Sequence, residues 1–214
     1  MKTISYLAFC SVLIFASCSK NDDDDSSPTG NNNTGGSTSA LTIDSHWQVK
    51  AKLDGADYSK VDGNGAYGVF SDGGTTASDP DSSISNYGST LTDANATIIY
   101  FEVVRNGQHY LGGTILENAD FLAYFQPGIY PFTSEDINGV AIHYTDASGE
   151  MWGTDMGSAD QTGSEFKIIQ VREETVVPDY DIKVLSHFHC KLYNANGQSK
   201  TLTDGEYVSL YEAL

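Results

Sequence analysis

The chain has 214 residues, with 29 acidic against 11 basic side chains and a formal net charge of −18. Such a charge disfavours nucleic acid and anionic membrane surfaces as partners, and leaves cations, neutral polymers such as glycans, or basic proteins. Of the three cysteines, Cys10, Cys18 and Cys190, the first two lie in or beside an N-terminal processing signal. Cys190 is then alone, and no intramolecular disulfide is expected even in an oxidising compartment.

Met1-Lys2 supplies one positive charge, and Ile4 to Phe15 is an apolar stretch. It has the length of a signal-peptide core and is too short to span a bilayer. Phe15-Ala16-Ser17-Cys18 follows, and the chain then turns at once to Ser19-Lys20-Asn21-Asp22-Asp23-Asp24-Asp25. Small residues before a cysteine, with an abrupt polar change after it, resemble the lipobox of bacterial lipoproteins, Phe15 standing where leucine is usual. The acidic run is similar to the surface-export signal of Bacteroidota lipoproteins. The resemblance implies that residues 1–17 are a cleaved signal peptide and that Cys18 carries two or three acyl chains such as palmitate. It implies the outer leaflet of the outer membrane as location, with the protein facing outward. Two chains hold a protein stably on a membrane where one does so only marginally. No later segment has the roughly 18 consecutive apolar residues of a membrane-spanning helix.

Ser26 to Ser39 contains Ser, Thr, Asn, Gly and Pro28, and no apolar residue. It cannot bury enough surface to offset its conformational entropy. Residues 18–40 therefore form a disordered tether, with a root-mean-square reach of roughly 25–30 Å. Residues 41–214 amount to a single domain. They carry 25 acidic and 9 basic side chains, net −16.

The signals in this domain are almost all β. His46 to Leu53 reads as a strand, followed by the hairpin dipeptide Asp54-Gly55. Ile98 to Val104 is a second strand, turned by Asn106-Gly107 into Gln108 to Leu116. Glu117 to Phe125 has the makings of one or two helical turns before Pro127-Gly128. Gly128 to Phe132 and Val140 to Thr145 are short strands joined through Asn138-Gly139, and Glu165 to Glu174 is another. Asp181 to Tyr193 alternates most clearly. Ile182, Val184, Ser186, Phe188, Cys190 and Leu192 share one face, and Lys183, Leu185, His187, His189, Lys191 and Tyr193 share the other. That pattern predicts one face on a core, with an inert buried Cys190 thiol, and one face toward water. Asn196-Gly197 then suggests a type I′ turn into Gln198 to Leu210.

Many short strands with turns between them predict an all-β fold, an antiparallel β-sandwich of about 8–10 strands. Gln126-Pro127-Gly128-Ile129-Tyr130-Pro131, Cys190-Lys191-Leu192-Tyr193 and Thr201-Leu202-Thr203-Asp204-Gly205-Glu206-Tyr207 are similar to motifs in Bacteroidota lipoproteins built on domains of unknown function. So is Val49-Lys50-Ala51-Lys52-Leu53-Asp54-Gly55. The resemblance implies a β-sandwich and contributes no catalytic residue.

Gly63-Asn64-Gly65-Ala66-Tyr67-Gly68 matches G-x-G-x-x-G, but no helix follows to aim amides at a phosphate. Asp62-Gly63-Asn64 begins like a calcium loop and lacks the distal glutamate. Ser71 to Ser85, with Asp72, Asp79 and Asp81, reads as an open acidic loop whose spacing organises no calcium site. His187 and His189 share a strand face, yet zinc needs a third ligand, and sequence alone does not bring His46, His109 or His143 beside them. No metal and no cofactor is therefore expected. No G-x-S-x-G, H-E-x-x-H or C-x-x-C is present, so no catalytic residue is assigned. Trp152, in a glycine-flanked stretch without alternation, is expected on a surface loop, where an indole offers a platform for a sugar or a partner protein. Glu150 and Asp155 beside it would orient sugar hydroxyls. Trp47 is expected in the core. The expectation is an outer-membrane surface lipoprotein that binds or scaffolds a glycan or a surface protein. A glycan-active hydrolase and a purely structural part of a surface complex are the alternatives.

Overall fold

The structure is a computed structural model that describes residues 40–63, 68–79, 82–93, 99–109, 116, 118–133, 138–174 and 180–213. Residues 1–39, which hold the expected signal peptide, Cys18, the acidic run and all but the last residue of the expected tether, lie outside the described residues. The fold below belongs to the unit Ser39–Leu214.

Among the described residues there are eleven strands and one helix. They are β1 (Gln48–Leu53), β2 (Ala56–Val61), β3 (Gly68–Asp79), β4 (Ser82–Thr92), β5 (Ile99–His109), α1 (Asn118–Tyr124), β6 (Gly128–Tyr130), β7 (Gly139–Thr145), β8 (Met151–Gly153), β9 (Glu165–Glu173), β10 (Asp181–Tyr193) and β11 (Ser199–Glu212). The strands join in one antiparallel sheet in the order β2-β1-β11-β10-β8-β7-β5-β4-β3, and β9, with β6 beyond it, adds to β10. The sheet forks at β10. Ile182 to His189 pair with β9, while Tyr193 at the far end pairs with Gly153 of β8. The all-β expectation is met.

The sheet curls until β11 lies against β3 and β4. The Ser89 and Tyr207 hydroxyls meet at 3.0 Å, the Leu210 amide donates to Ser89 Oγ at 3.1 Å, and the Glu212 amide donates to Ser71 Oγ at 2.9 Å. The enclosed core is aromatic. Phe101 of β5 stacks on Phe188 of β10 at 5.7 Å and meets Tyr207 of β11 edge-on at 5.2 Å. Cys190 is buried among these residues, and burial pushes its thiol far above the ordinary range.

β10 spans the predicted residues, and Ile182, Val184, Phe188, Cys190 and Leu192 do face the core. Its other face departs from expectation. Lys183 and Leu185 are also buried, because the residues before β1 fold across them. Leu41 and Ile43 pack with Leu185, Val208, Trp47 and Ile169 in a second cluster, and the Leu41 amide donates to Glu206 Oε2 at 2.8 Å. Trp47 thus belongs to this outer cluster and not to the main core, with the Lys183 ammonium 5.5 Å from its ring. Only His187 and His189 of β10 remain fully outside the cover.

Turn dipeptides had mixed meaning. Asp54 and Gly55 have φ of 49° and 83°, the pair of positive values a type I′ hairpin requires. At Asn194–Gln198 only Gly197 is positive, at 76°, and its amide donates to the Asn194 carbonyl at 3.0 Å. This is a type I turn closed by a left-handed glycine, not the expected type I′ turn. Asn106-Gly107 is no turn at all and lies within β5. A Cβ at Gly107 would come 2.5 Å from the Tyr124 ring, so this glycine admits the helix and does not bend the chain. Asn138-Gly139 likewise leads into β7, where a Cβ at Gly139 would strike Thr133 and the Pro131 carbonyl. β6 and β7 are accordingly not a hairpin: β6 pairs with β9, and β7 with β5 and β8.

The expected acidic loop Ser71 to Ser85 falls instead in the paired strands β3 and β4, and Asp81 lies outside the described residues. Gly73 lies opposite Tyr87, and a Cβ there would come 2.6 Å from that ring.

The predicted helix is present as α1. It sets Phe121 and, just beyond its end, Phe125 in the core against Tyr87, and Phe125 also meets Tyr211. Arg105 fastens it. This side chain is 6% exposed, and its guanidinium lies 4.3 Å from the Tyr124 ring and 4.5 Å from the Tyr130 ring. Its Nη1 donates to the carbonyls of Gly139, at 3.1 Å, and Asn106. Desolvation lowers the guanidinium's proton affinity, and the stacked aromatic faces act against that.

Candidate functional site

A break in strand alternation creates a concavity. Leu202 and Tyr207 are both in the core although five residues apart, where strict alternation would send one outward. β11 resets its phase with a bulge. Cys190 pairs with Leu202 and Phe188 with Gly205, so Thr203 and Asp204 together face His189. On the other side Lys52 pairs with Thr203 and Lys50 with Glu206. Asp204 takes a left-handed φ of 51°. Gly205 is obligatory here, because a Cβ would enter the Phe188 ring. Bulges bend a strand and re-aim its side chains, and they recur beside functional sites.

Here the bulge opens a groove of about 510 Å³, floored by Phe188 and Gly205 and rimmed by His187, His189, Glu165, Asp204 and Glu206. His187 Nε2 is 4.0 Å from Glu206 Oε1, and His189 Nε2 donates to the Gly163 carbonyl at 2.9 Å. Both imidazoles face solvent as their alternation predicts, and three carboxylates flank them. Among the described residues no three His, Cys, Asp or Glu side chains converge as metal ligands would.

The platform expected at Trp152 is absent. Trp152 is 5% exposed and lies in β8, opposite Tyr144. Its Nε1–H donates to Asp146 Oδ2 at 3.1 Å, and the Lys200 ammonium covers its ring at 4.3 Å. A partner for the indole nitrogen six residues upstream lets the ring turn inward and cap the core. Glu150 accepts from Asn194 Nδ2 at 2.8 Å, and Asp155 accepts from His143 at 3.0 Å. The three residues do not converge on one surface. In the Gly63–Gly68 stretch, residues 64–67 lie outside the described residues, and β3, not a helix, follows.

A cluster not anticipated from sequence crosses the outer face of β4, β5, β7 and β8. Thr90, Glu102, His143 and Gly153 are successive cross-strand partners. The Thr90 hydroxyl donates to Glu102 Oε1 at 3.1 Å, His143 Nδ1 is 2.8 Å from Glu102 Oε2, and His143 Nε2 is 3.0 Å from Asp155 Oδ1. Gly153 makes room for this contact: a Cβ there would come 2.7 Å from Asp155 Oδ1 and 2.9 Å from His143 Cδ2. Burial alone would lower the His143 pKa, but the bonds to Asp155 and Glu102 prevail and hold it at about 9. Burial would raise Asp155, and the bond to His143 outweighs that and lowers it.

Both ring nitrogens therefore donate, and neither is free to take a proton. The hydroxyl bonds to the carboxylate and not to the ring. The group is thus a charged brace between strands, and it lacks the hydroxyl–imidazole contact of a nucleophile triad.

Comparison with protein-family models, with curated proteins and with solved structures finds no match.

Proposed function

We propose that this chain is a lipid-anchored lipoprotein of the outer-membrane surface, and that its β domain is a sandwich-type binding module. Its groove takes a basic segment of a partner protein. The observation that supports this is the rim of Glu165, Asp204 and Glu206 around a 510 Å³ concavity. That volume is in the range of ligand sites, and on an acidic chain it attracts cationic side chains. The two histidines add polar contacts without closing the groove.

A glycan-cleaving hydrolase is the competing reading, with Glu165 and Glu206 as its carboxylate pair. They stand on β9 and β11, on either side of β10, and are offset by two residues through their partners His189 and His187. Strand spacing then sets their Cα atoms roughly 12 Å apart. Retaining glycosidases hold their carboxyls about 5 Å apart and inverting ones roughly 6.5–9.5 Å apart. Glutamate side chains extend several ångströms from Cα, so this spacing by itself favours neither reading, and the binding reading stands on the acidic rim.

Two outcomes test the proposal. An arginine-rich peptide should bind at one site per chain and weaken steeply as salt rises. Calorimetric titration that shows no saturable binding at low salt would count against the groove. For the anchor, the Cys18 thiol is the acyl acceptor, so Cys18→Ser should leave an uncleaved precursor that takes up no labelled fatty acid. Normal maturation and labelling of that variant would remove the lipoprotein reading.

A further inference from the structure

We propose a second binding site, independent of the groove, in the cavity beside His143, and assign to it a neutral polyol: the vicinal hydroxyls of a monosaccharide or of a glycan chain end. The cavity has a volume of about 120 Å³ and is lined by Asn86, Val104, Asn106, Ala141, His143 and Asp155. Its origin lies in three cross-strand rows on the outer face of β4, β5 and β7. One row is Asn86, Asn106 and Gly139, the next is Gly88, Val104 and Ala141, and the third is Thr90, Glu102 and His143. Gly88 and Ala141 leave the middle row with little side chain, while Thr133 and the Pro131 carbonyl close in over Gly139. The amides stand on one side of this gap and the charged brace on the other.

Two observations point to a ligand. Asn106 is 2% exposed, and among the described residues the amide oxygens of both Asn86 and Asn106 are buried without a hydrogen-bond partner. Rotating either amide exchanges a stranded acceptor for a stranded donor, so the deficit remains, and such groups are costly to leave unpaired. Charge then selects the ligand. A protonated His143 between two carboxylates leaves one net negative charge, which repels anions, while the imidazolium disfavours a cation at the same place. A hydroxyl both donates and accepts, so it serves the amides in either orientation and the Asp155 carboxylate as well. Val104 and Ala141 give the C–H face of a small polyol an apolar floor. A space of this size holds about four waters, or one edge of a sugar ring.

The test follows the imidazole signals of His143 by NMR while the full chain is titrated with methyl hexosides, and separately with an oligosaccharide. Saturable shifts are expected, weakened about tenfold or more in Ala141→Leu, which fills the floor, and in Asn86→Ala, which removes one amide. Glu165→Gln/Asp204→Asn, in the groove, should leave these shifts unchanged. Response to the hexosides identifies a monosaccharide site, and response to the oligosaccharide alone identifies a chain end. No shift with either probe overturns the proposal, and so do shifts that persist in both cavity variants. Should Ala141→Leu fail to fold, Asn86→Ala on the more exposed amide decides.

Discussion

His143→Ala should destabilise the domain by about 3 kcal/mol at neutral pH, because it leaves Glu102 and Asp155 buried without their shared cation. The side chains of His143, Glu102 and Asp155 are 20%, 15% and 19% exposed, so solvent screens them little. For a domain of this size that corresponds to a fall of roughly 6–12 °C in melting temperature. The pH dependence gives a second reading of the same interaction. The folded pKa of His143, about 9, lies above the ordinary imidazole value of 6.5. Its contribution is therefore complete below the unfolded pKa and is lost as pH rises through the folded value. Wild-type stability should decline between about pH 6.5 and 9 by an amount of order 3 kcal/mol, and His143→Ala should flatten that decline. Asp155 carries the other end of the bond and loses its share as pH falls through its lowered pKa, so the two shifts are not summed. Chemical denaturation across this range decides the matter. A variant as stable as wild type at pH 7, or one that keeps the same alkaline slope, would mean that the brace carries no load.

Arg105→Ala should cost about 2–4 kcal/mol. It removes the guanidinium from between Tyr124 and Tyr130 and ends its bonds to the Gly139 and Asn106 carbonyls. Three elements, β5, α1 and β6, then lose their common contact. Arg105→Lys should recover only part of the loss, because an ammonium cannot stack between two rings as a planar guanidinium does. Loss of α1 packing should appear as faster amide exchange at Phe121 and Phe125. An Arg105→Ala protein that melts with the wild type would show that the two tyrosines pack equally well without the cation.

Some of this was legible in the sequence, and the reasons differ by element. β10 declared itself because Ile182, Val184, Phe188, Cys190 and Leu192 keep strict phase along a strand of 13 residues. The cover of its other face did not, because Leu41 and Ile43 are short apolar residues at the end of a polar stretch, with no period of their own. Asn-Gly and Asp-Gly suggest turns because glycine and asparagine tolerate positive φ. At Gly107 and Gly139 the glycine instead answers a close approach by another chain segment, which local sequence does not encode. The bulge carried a readable sign: Leu202 and Tyr207, five apart, cannot share a face unless one residue is added. Trp152 was misplaced because flanking glycines suggested a loop, whereas Asp146 supplies the hydrogen-bond partner that permits burial. Glu102 and His143 were each visible as outward residues between apolar neighbours, but their meeting depends on the β5–β7 register, which one strand's pattern does not contain.

The groove at the bulge is the centre of the functional reading, and one comparison addresses it directly. Binding of the arginine-rich peptide is measured for wild type, for Glu165→Gln/Asp204→Asn, and for Asp120→Asn/Glu212→Gln. Each double variant removes two negative charges, and asparagine tolerates the left-handed backbone at position 204. Asp120 and Glu212 are exposed on α1 and at the far end of β11 and do not line the groove. The account predicts that the groove variant weakens binding about tenfold or more, while the distant variant stays within about twofold of wild type. Equal losses in both variants would show that the peptide responds to overall charge, and would contradict the groove as a site.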